Sequence, residues 1–311
     1  MLQSSSDESL IMDSAPQLVE YVANVSEGRR LDVVEAIAAA ANTPGTSILD
    51  VHSDVDHHRS VITVVGTPAA VAESAFRLAE AAIARIDLQS HAGTHPRIGA
   101  LDVLPFVPLL NTTMQTCVEI AHAVGNRIGD VLRVPVYFYG EAALKEERRL
   151  LVNVRRGQFE GLIERIAMDP SHYPDAGPPS VGGAGATAVG ARWPLIAMNV
   201  HLKTDDLGVA RSVARAIRAS SGGLPGVQAL GLPTSRPGIV QVSVNLVDPR
   251  MSSPYVVVDR VRSEAQQRGV ELAETELVGL MPAEAALSAA ASRLGLPSLA
   301  ARQVIELAAL G

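Results

Sequence analysis

The chain has 311 residues, 47% hydrophobic and 19% charged, with a formal net charge of −7 and one cysteine. That length allows two compact domains with real cores, and the acidic balance, with no basic arm or stripe, excludes a phosphate-backbone binder. One cysteine excludes an internal disulfide framework, and no apolar stretch is long and uncharged enough to span a bilayer. Residues 1–16, MLQSSSDESLIMDSAP, lack the basic start and apolar run of a signal peptide and read as a disordered leader. A cytoplasmic protein is expected.

Gln17 to Val25 alternates as a strand and ends in the turn-rich Asn24-Val25-Ser26-Glu27-Gly28. Leu31 to Ala41 places Leu31, Val34, Ile37 and Ala38 at helical spacing, stopped by Asn42 and Pro44-Gly45. Two strands are predicted at Ser47 to Val51 and Ser60 to Val65. Thr67-Pro68 is an N-cap with a first-turn proline, and the helix it opens runs to about Ile86 on a face of Val71, Ala75, Leu78, Ala82 and Ile86. After a loop of glycines and histidines, Ala100 to Val107 is the next strand. The order β-α-β-β-α-β is that of a ferredoxin-like domain, an antiparallel sheet with both helices on one face.

The middle of the chain reads as more helical. Thr112 or Thr113 caps a helix carrying Cys117, Ile120, Val124 and Ile128, which makes Cys117 a small core residue rather than a nucleophile. A strand is predicted at Val134 to Tyr139, a helical stretch from Gly140-Glu141 through Arg148-Arg149, and a short helix ending at Met168. Asp169 to Ala186, dominated by Pro and Gly, reads either as an interdomain linker or as a loop offering backbone N–H groups to a ligand. It lacks the lysine and Ser/Thr of a nucleotide P-loop. From Leu195 the order repeats: strand to Leu202, a helix capped by Thr204, strands at Val227 to Leu232 and Ile239 to Val247, a helix from Ser253-Pro254 to Gly269, and a strand at Glu276 to Met281. Two Ala-rich helices, Pro282 to Gly295 and Ser298 to Leu310, finish the chain. The expected architecture is therefore α+β, two tandem ferredoxin-like subdomains at 17–186 (with the linker) and 187–311, each with one face of its antiparallel sheet needing cover; those faces either cover each other or form a groove for a ligand.

Two polar clusters lie at strand ends. His52, Asp54, Asp56, His57 and His58 form one; His91, His95 and Arg97 lie on the other, where Pro96 restricts Thr94-His95 to extended or turn geometry. An imidazole on such a loop suits general acid/base chemistry because it titrates near neutrality. The mixture of His and carboxylate would suit zinc or manganese, but no helical H-x-x-x-H pair or C-x-x-C accompanies it, and no metal is expected. There is no G-x-S-x-G, so a proton shuttle between two bound substrates fits better than a covalent intermediate.

Ordered motifs then carry a resemblance. They are NVSEGR at Asn24–Arg29, LDVHSDVDHHRSV at Leu49–Val61, GTHPRIGALDVLPFVP at Gly93–Pro108, VPVYFYGEAA at Val134–Ala143 and RRGQFEGL at Arg155–Leu162. GATAVGAR, LIAMNVHL, VQALGL, VQVSVNL and ELVGLMP follow. From about Leu18 to about Pro282 the chain resembles the formiminotransferase family, the folate-dependent enzymes of histidine degradation. The resemblance implies transfer of a formimino group from N-formimino-L-glutamate to N5 of tetrahydrofolate, with release of L-glutamate. It implies that His95, the second histidine of H-x-G-x-H-P-R, is catalytic, and that the folate loop maps to Gly177, Pro178, Pro179, Ser180, Val181, Gly182, Gly183, Ala184 and Gly185. It also implies two ferredoxin-like subdomains around a tunnel, a homodimer, and a separate cyclodeaminase as a possible partner. His52, Asp54, Arg59, Arg97 and Asp102 are the candidate substrate residues, since Arg forks suit carboxylates. Thr94 stands where the family usually has Glu and Ile98 where it has Met. Ala176 and Ala184 replace common aromatics, and Trp193-Pro194 replaces Lys-Phe. Those changes on the folate side leave a folate-binding paralogue, or a transferase of formyl groups, as the alternatives.

Overall fold

The computed structural model describes residues 17–55, 57–93, 96–234 and 236–310. The leader 1–16, and Asp56, Thr94 and His95 of the two polar clusters, lie outside the described residues. The chain divides into two compact units after Arg192.

The first unit opens with Val19–Val25 (β1), Leu31–Ala41 (α1), Thr46–Asp54 (β2), Arg59–Gly66 (β3), Pro68–Arg85 (α2) and Leu101–Pro108 (β4). Their sheet order is β2-β3-β1-β4, with every neighbouring pair antiparallel. Alternation along β1 and β3 sends Tyr21, Ala23, Ile62 and Val64 into one core with α1 and α2, where Val71, Ala75, Leu78, Ala82 and Ile86 are all buried. Tyr21 is fixed there by its hydroxyl on Ser74 Oγ at 2.8 Å and by the edge of Phe106. Met114–Arg127 (α3) joins the same core, with Thr113 as its N-cap accepting from Thr116 N–H. Cys117 lies inside it, and burial pushes its thiol up to about 12.

Two further strands depart from the expectation of a purely antiparallel sheet. Val136–Gly140 (β5) and Thr187–Ala191 (β6) extend the sheet beyond β4 in the order β4-β6-β5, and both new pairings are parallel. β6 has the sequence TAVGA, whose Ala and Gly carry little strand signal, yet all five residues are buried. Asp169–Ala186 is thus the return of the chain to its own sheet. The helical stretch expected after Gly140 is instead a turn at Gly140 (φ +65), a single 3-10 turn at Glu146–Arg148 and the short Leu151–Val154 (α4). With Gln158–Met168 (α5), α4 covers the opposite sheet face, through a cluster whose strand members come only from β4, β5 and β6. On that face His52 and Val61 pair across β2 and β3, as do Asp54 and Arg59.

The second unit has Ile196–Lys203 (β7), Leu207–Ile217 (α6), Val227–Pro233 (β8), Ile239–Leu246 (β9), Pro254–Gln266 (α7) and Leu272–Val278 (β10). Its sheet runs β10-β7-β9-β8, all antiparallel, the same permutation as the first four strands of unit one. The cap of α6 is Asp206, accepting from Gly208 N–H at 2.7 Å, rather than Thr204, which accepts from Asp206 N–H. β10 starts four residues before the expected Glu276 and stops where Gly279 (φ +73) turns the chain, leaving 279–281 outside it. Ala283–Leu294 (α8) and Ile305–Leu310 (α9) end the chain.

Candidate active site

Glu27 follows β1 and is buried. Its Oε1 accepts the backbone N–H of Gly28 (3.0 Å), Arg29 (2.9 Å) and Arg30 (3.0 Å), and Oε2 accepts from Arg30 Nε at 2.6 Å. Burial alone would raise its pKa, but the donors from Arg30, Arg29 and His58 overcome this and hold it at about 2. These bonds also satisfy the open N–H groups ahead of α1. His58 sits at φ +53 on the turn between β2 and β3. Its Nε2 lies 3.0 Å from Glu27 Oε1 and its Nδ1 3.0 Å from the Ala92 carbonyl, so both ring nitrogens face acceptors.

The His58 ring stacks on His91, with centroids 4.1 Å apart and planes within 9°. Arg97 Nε donates to His91 Nδ1 at 3.1 Å, which leaves Nε2 of His91 to donate to the His58 carbonyl at 3.1 Å. Burial lowers the His91 pKa, against the hydrogen bond to the His58 carbonyl and with the charges of His58 and Arg97. The Arg97 guanidinium, 7% exposed, forks onto Glu160 Oε1 and Oε2 at 2.8 and 3.1 Å and also meets the His91 carbonyl and Gln158 Oε1. All five of its N–H groups are engaged within the protein. His91 and Arg97 are therefore tied to the β2–β3 turn and to α5.

A second constellation lies on the sheet face opposite α1 and α2. Asp102 of β4 is buried, accepts Ile98 N–H on Oδ1 at 2.8 Å and pairs through Oδ2 with Arg155 Nη2. Burial pushes the Asp102 carboxyl up, while Arg155, the Ile98 N–H and Arg59 pull the other way. Arg59 is coupled to the same group: burial and the neighbouring Arg155 charge lower its pKa, and Asp54 and Asp102 oppose them. Tyr139 of β5, its pKa raised by burial, adjoins Arg192, Arg155 and Asp102. The Nε of Arg155 is buried without a hydrogen-bond partner.

The expected substrate residues thus separate. Arg59 and Asp102 belong to the second constellation, whereas Arg97 braces the loop. Asp54 accepts His57 N–H at 2.8 Å and lies 2.6 Å from His57 Nδ1, and His52 is exposed on β2. Among the described residues no group of three or more His, Cys, Asp or Glu is placed to hold a metal ion.

The glycine loop is tied down at both ends. Val136 N–H donates to the Ala176 carbonyl, Ala100 N–H to the Ala184 carbonyl and Ala186 N–H to the Ile98 carbonyl, the last two at 2.8 Å. Gly185 (φ +72) lies against Gly99, where an added Cβ on Gly99 would come within 1.9 Å of the Ala186 carbonyl. Between these anchors Pro179, Ser180 and Gly182 are exposed, and a Cβ on Gly182 would meet nothing within 4 Å.

His58 and His91 were named in the two polar clusters, whereas Glu27, Arg155 and Glu160 are the residues sequence reasoning did not place in the site. RRGQFEGL contains two of them, and its paired arginines ahead of a glycine turn were the available signal. In the second unit, an open cleft of about 540 Å³ is lined by His201, Gln241 and Glu274 of its sheet and by Arg236 of the loop before β9.

Two family models cover the chain: "Formiminotransferase domain, N-terminal subdomain" matches residues 18–192 and "Formiminotransferase domain" matches residues 197–301. A glutamate formimidoyltransferase of Streptococcus pyogenes serotype M1 is 41% identical over 276 residues, spanning 88% of this chain and 92% of that one. One from Thermoplasma acidophilum is 42% identical over 292 residues, spanning 93% and 96%. The formimidoyltransferase-cyclodeaminase of Gallus gallus is 43% identical over 283 residues, 88% of this chain but 52% of that longer protein.

Proposed function

The chain belongs to the formiminotransferase family, and on that premise we propose that it is a glutamate formimidoyltransferase, moving the formimino group of N-formimino-L-glutamate to N5 of tetrahydrofolate and releasing L-glutamate. What carries the reading is similarity at 41% and 42% identity to relatives of that name over nearly their whole length. Tetrahydrofolate is a co-substrate here, and no resident metal takes part.

Transfer of an amidine carbon between two nitrogens needs one proton removed and one supplied. The attacking amine must lose a proton as the new C–N bond forms, and the departing glutamate nitrogen must gain one as the old bond breaks. We assign both tasks to His95, in turn, because one imidazole titrating near neutrality serves as base and then as acid. The anchoring of His91 and Arg97, on either side of it in the sequence, supports that assignment, since a shuttle works only when held within hydrogen-bond reach of both nitrogens. Arg59, Asp102, Asp54 and His52 frame the donor side. The exposed Pro179, Ser180 and Gly182 offer the close approach that a flat pterin needs, and Gly177 to Gly185 form the acceptor side.

Each unit, up to Arg192 and from Trp193, is read as ferredoxin-like because β1–β4 and β7–β10 share one antiparallel permutation. The working form is a cytoplasmic homodimer. Mixing the purified protein with N-formimino-L-glutamate and tetrahydrofolate tests the activity directly. Folate product that becomes the methenyl form on acidification, read by absorbance, is the expected result. Absence of product with folate still bound would turn the reading to a binding paralogue.

A further inference from the structure

Arg155 stands out among the charged groups that the transfer reaction has not used. It follows α4 on a turn, and its Nη2 is taken by the buried Asp102, whose other oxygen is taken by Ile98 N–H. Its Nε–H is buried and has no hydrogen-bond partner. A buried donor on a permanently charged guanidinium, left without an acceptor, is disfavoured unless something else supplies that acceptor. A second guanidinium, Arg59, lies close enough to feel its charge. Two neighbouring cations with one shared buried carboxylate and one idle donor make a seat for an acceptor-only anion, and guanidinium geometry favours a carboxylate.

We propose that Arg155 is a substrate-binding residue whose Nε–H, with Arg59 beside it, receives the α-carboxylate of the formimino donor. This rests on the transferase reading above. Glutamyl carboxylates occur on both substrates, so position has to choose between them. Asp102 holds Ile98, three residues from His95, and three residues of chain span at most about 11 Å. In the donor the reacting nitrogen is bonded to the carbon that bears the α-carboxylate, so that carboxylate necessarily sits beside the chemistry. In the acceptor the p-aminobenzoyl unit separates the tail carboxylates from N5. The seat therefore suits the donor, and Asp102 is the residue that aims Arg155.

The test is steady-state kinetics on Arg155→Lys and Arg155→Gln, varying each substrate in turn, with tetrahydropteroate, which lacks the glutamyl tail, as a second acceptor. Arg155→Lys retains the charge opposite Asp102, so the fold is kept, but it removes the Nε–H; melting curves and circular dichroism check this. The expected result is a rise of tenfold or more in KM for the donor in both variants, with KM for tetrahydrofolate and for tetrahydropteroate within about twofold of wild type. L-Glutamate should also stabilise the wild type thermally and lose that effect in both variants. Wild-type KM for the donor in Arg155→Lys and Arg155→Gln overturns the inference. So does a rise confined to tetrahydrofolate and absent with tetrahydropteroate, which would assign the seat to the folate tail. A wild type without turnover, by contrast, would fail the transferase reading itself and is recognised before any variant is made.

Discussion

A carboxylate that accepts three backbone N–H groups and an imidazole, as Glu27 does, keeps its charge far into acid. Its folded pKa of about 2 lies below the ordinary 4.5, so it contributes stability above about pH 4.5 that is lost as pH falls toward 2. The contribution is on the order of 3 kcal/mol. Urea unfolding across that window should show the wild type losing stability steeply. Glu27→Gln should be less stable at pH 7 by roughly 2–3 kcal/mol and flatter below pH 4.5; equal slopes for the two proteins would refute the assignment. Arg97 acts through the loop, so Arg97→Lys, which cannot fork onto Glu160, should lower kcat by roughly 10–100-fold while leaving KM for the donor near wild type. A rise in KM alone would instead mean that Arg97 touches substrate. In the sequence, His95 and Arg97 are visible as a motif. The roles of Glu27 and Arg155 are not, because Glu27 reads as part of a turn and Arg155 gains its meaning only from Asp102, 53 residues away.

At the scale of elements, helix bounds were legible where caps and prolines mark them. Leu31–Ala41 is placed as expected, and Pro68–Arg85 ends one residue before the expected Ile86. β1 was legible from its alternation, β3 from its β-branched residues and β4 as an apolar run. β6 was not, since TAVGA is composed of residues that fit a crowded central strand through smallness rather than propensity, and its parallel partners are distant in sequence. The same crowding explains Gly99 and Gly185, where the glycine loop closes onto the segment just before β4. Gly99→Ala should destabilise the protein by about 2–4 kcal/mol in urea melts, because backbone rather than a flexible side chain stands in the way. Gly182→Ala, with open space around it, should change stability by less than about 0.5 kcal/mol yet raise KM for tetrahydrofolate if the pterin rests on that backbone. An unchanged KM would move the folate contact elsewhere in the loop.

For the whole molecule, one strand permutation serves twice, with cores of Ala, Val, Ile and Leu built separately in each unit. The repeat was legible as a β-α-β-β-α-β order even though the two halves share no obvious residue pattern, because alternation and caps recur where identities do not. Sedimentation of the purified chain is expected at twice the monomer mass, and a monomer that turns over would remove the dimer from the account. The central claim is a proton shuttle at His95 serving formimino transfer, and the direct measurement is turnover of wild type beside His95→Ala with both substrates saturating. Loss of at least about a hundredfold in kcat is expected, with tetrahydrofolate bound as tightly as before. Turnover within a few-fold of wild type in His95→Ala would contradict it.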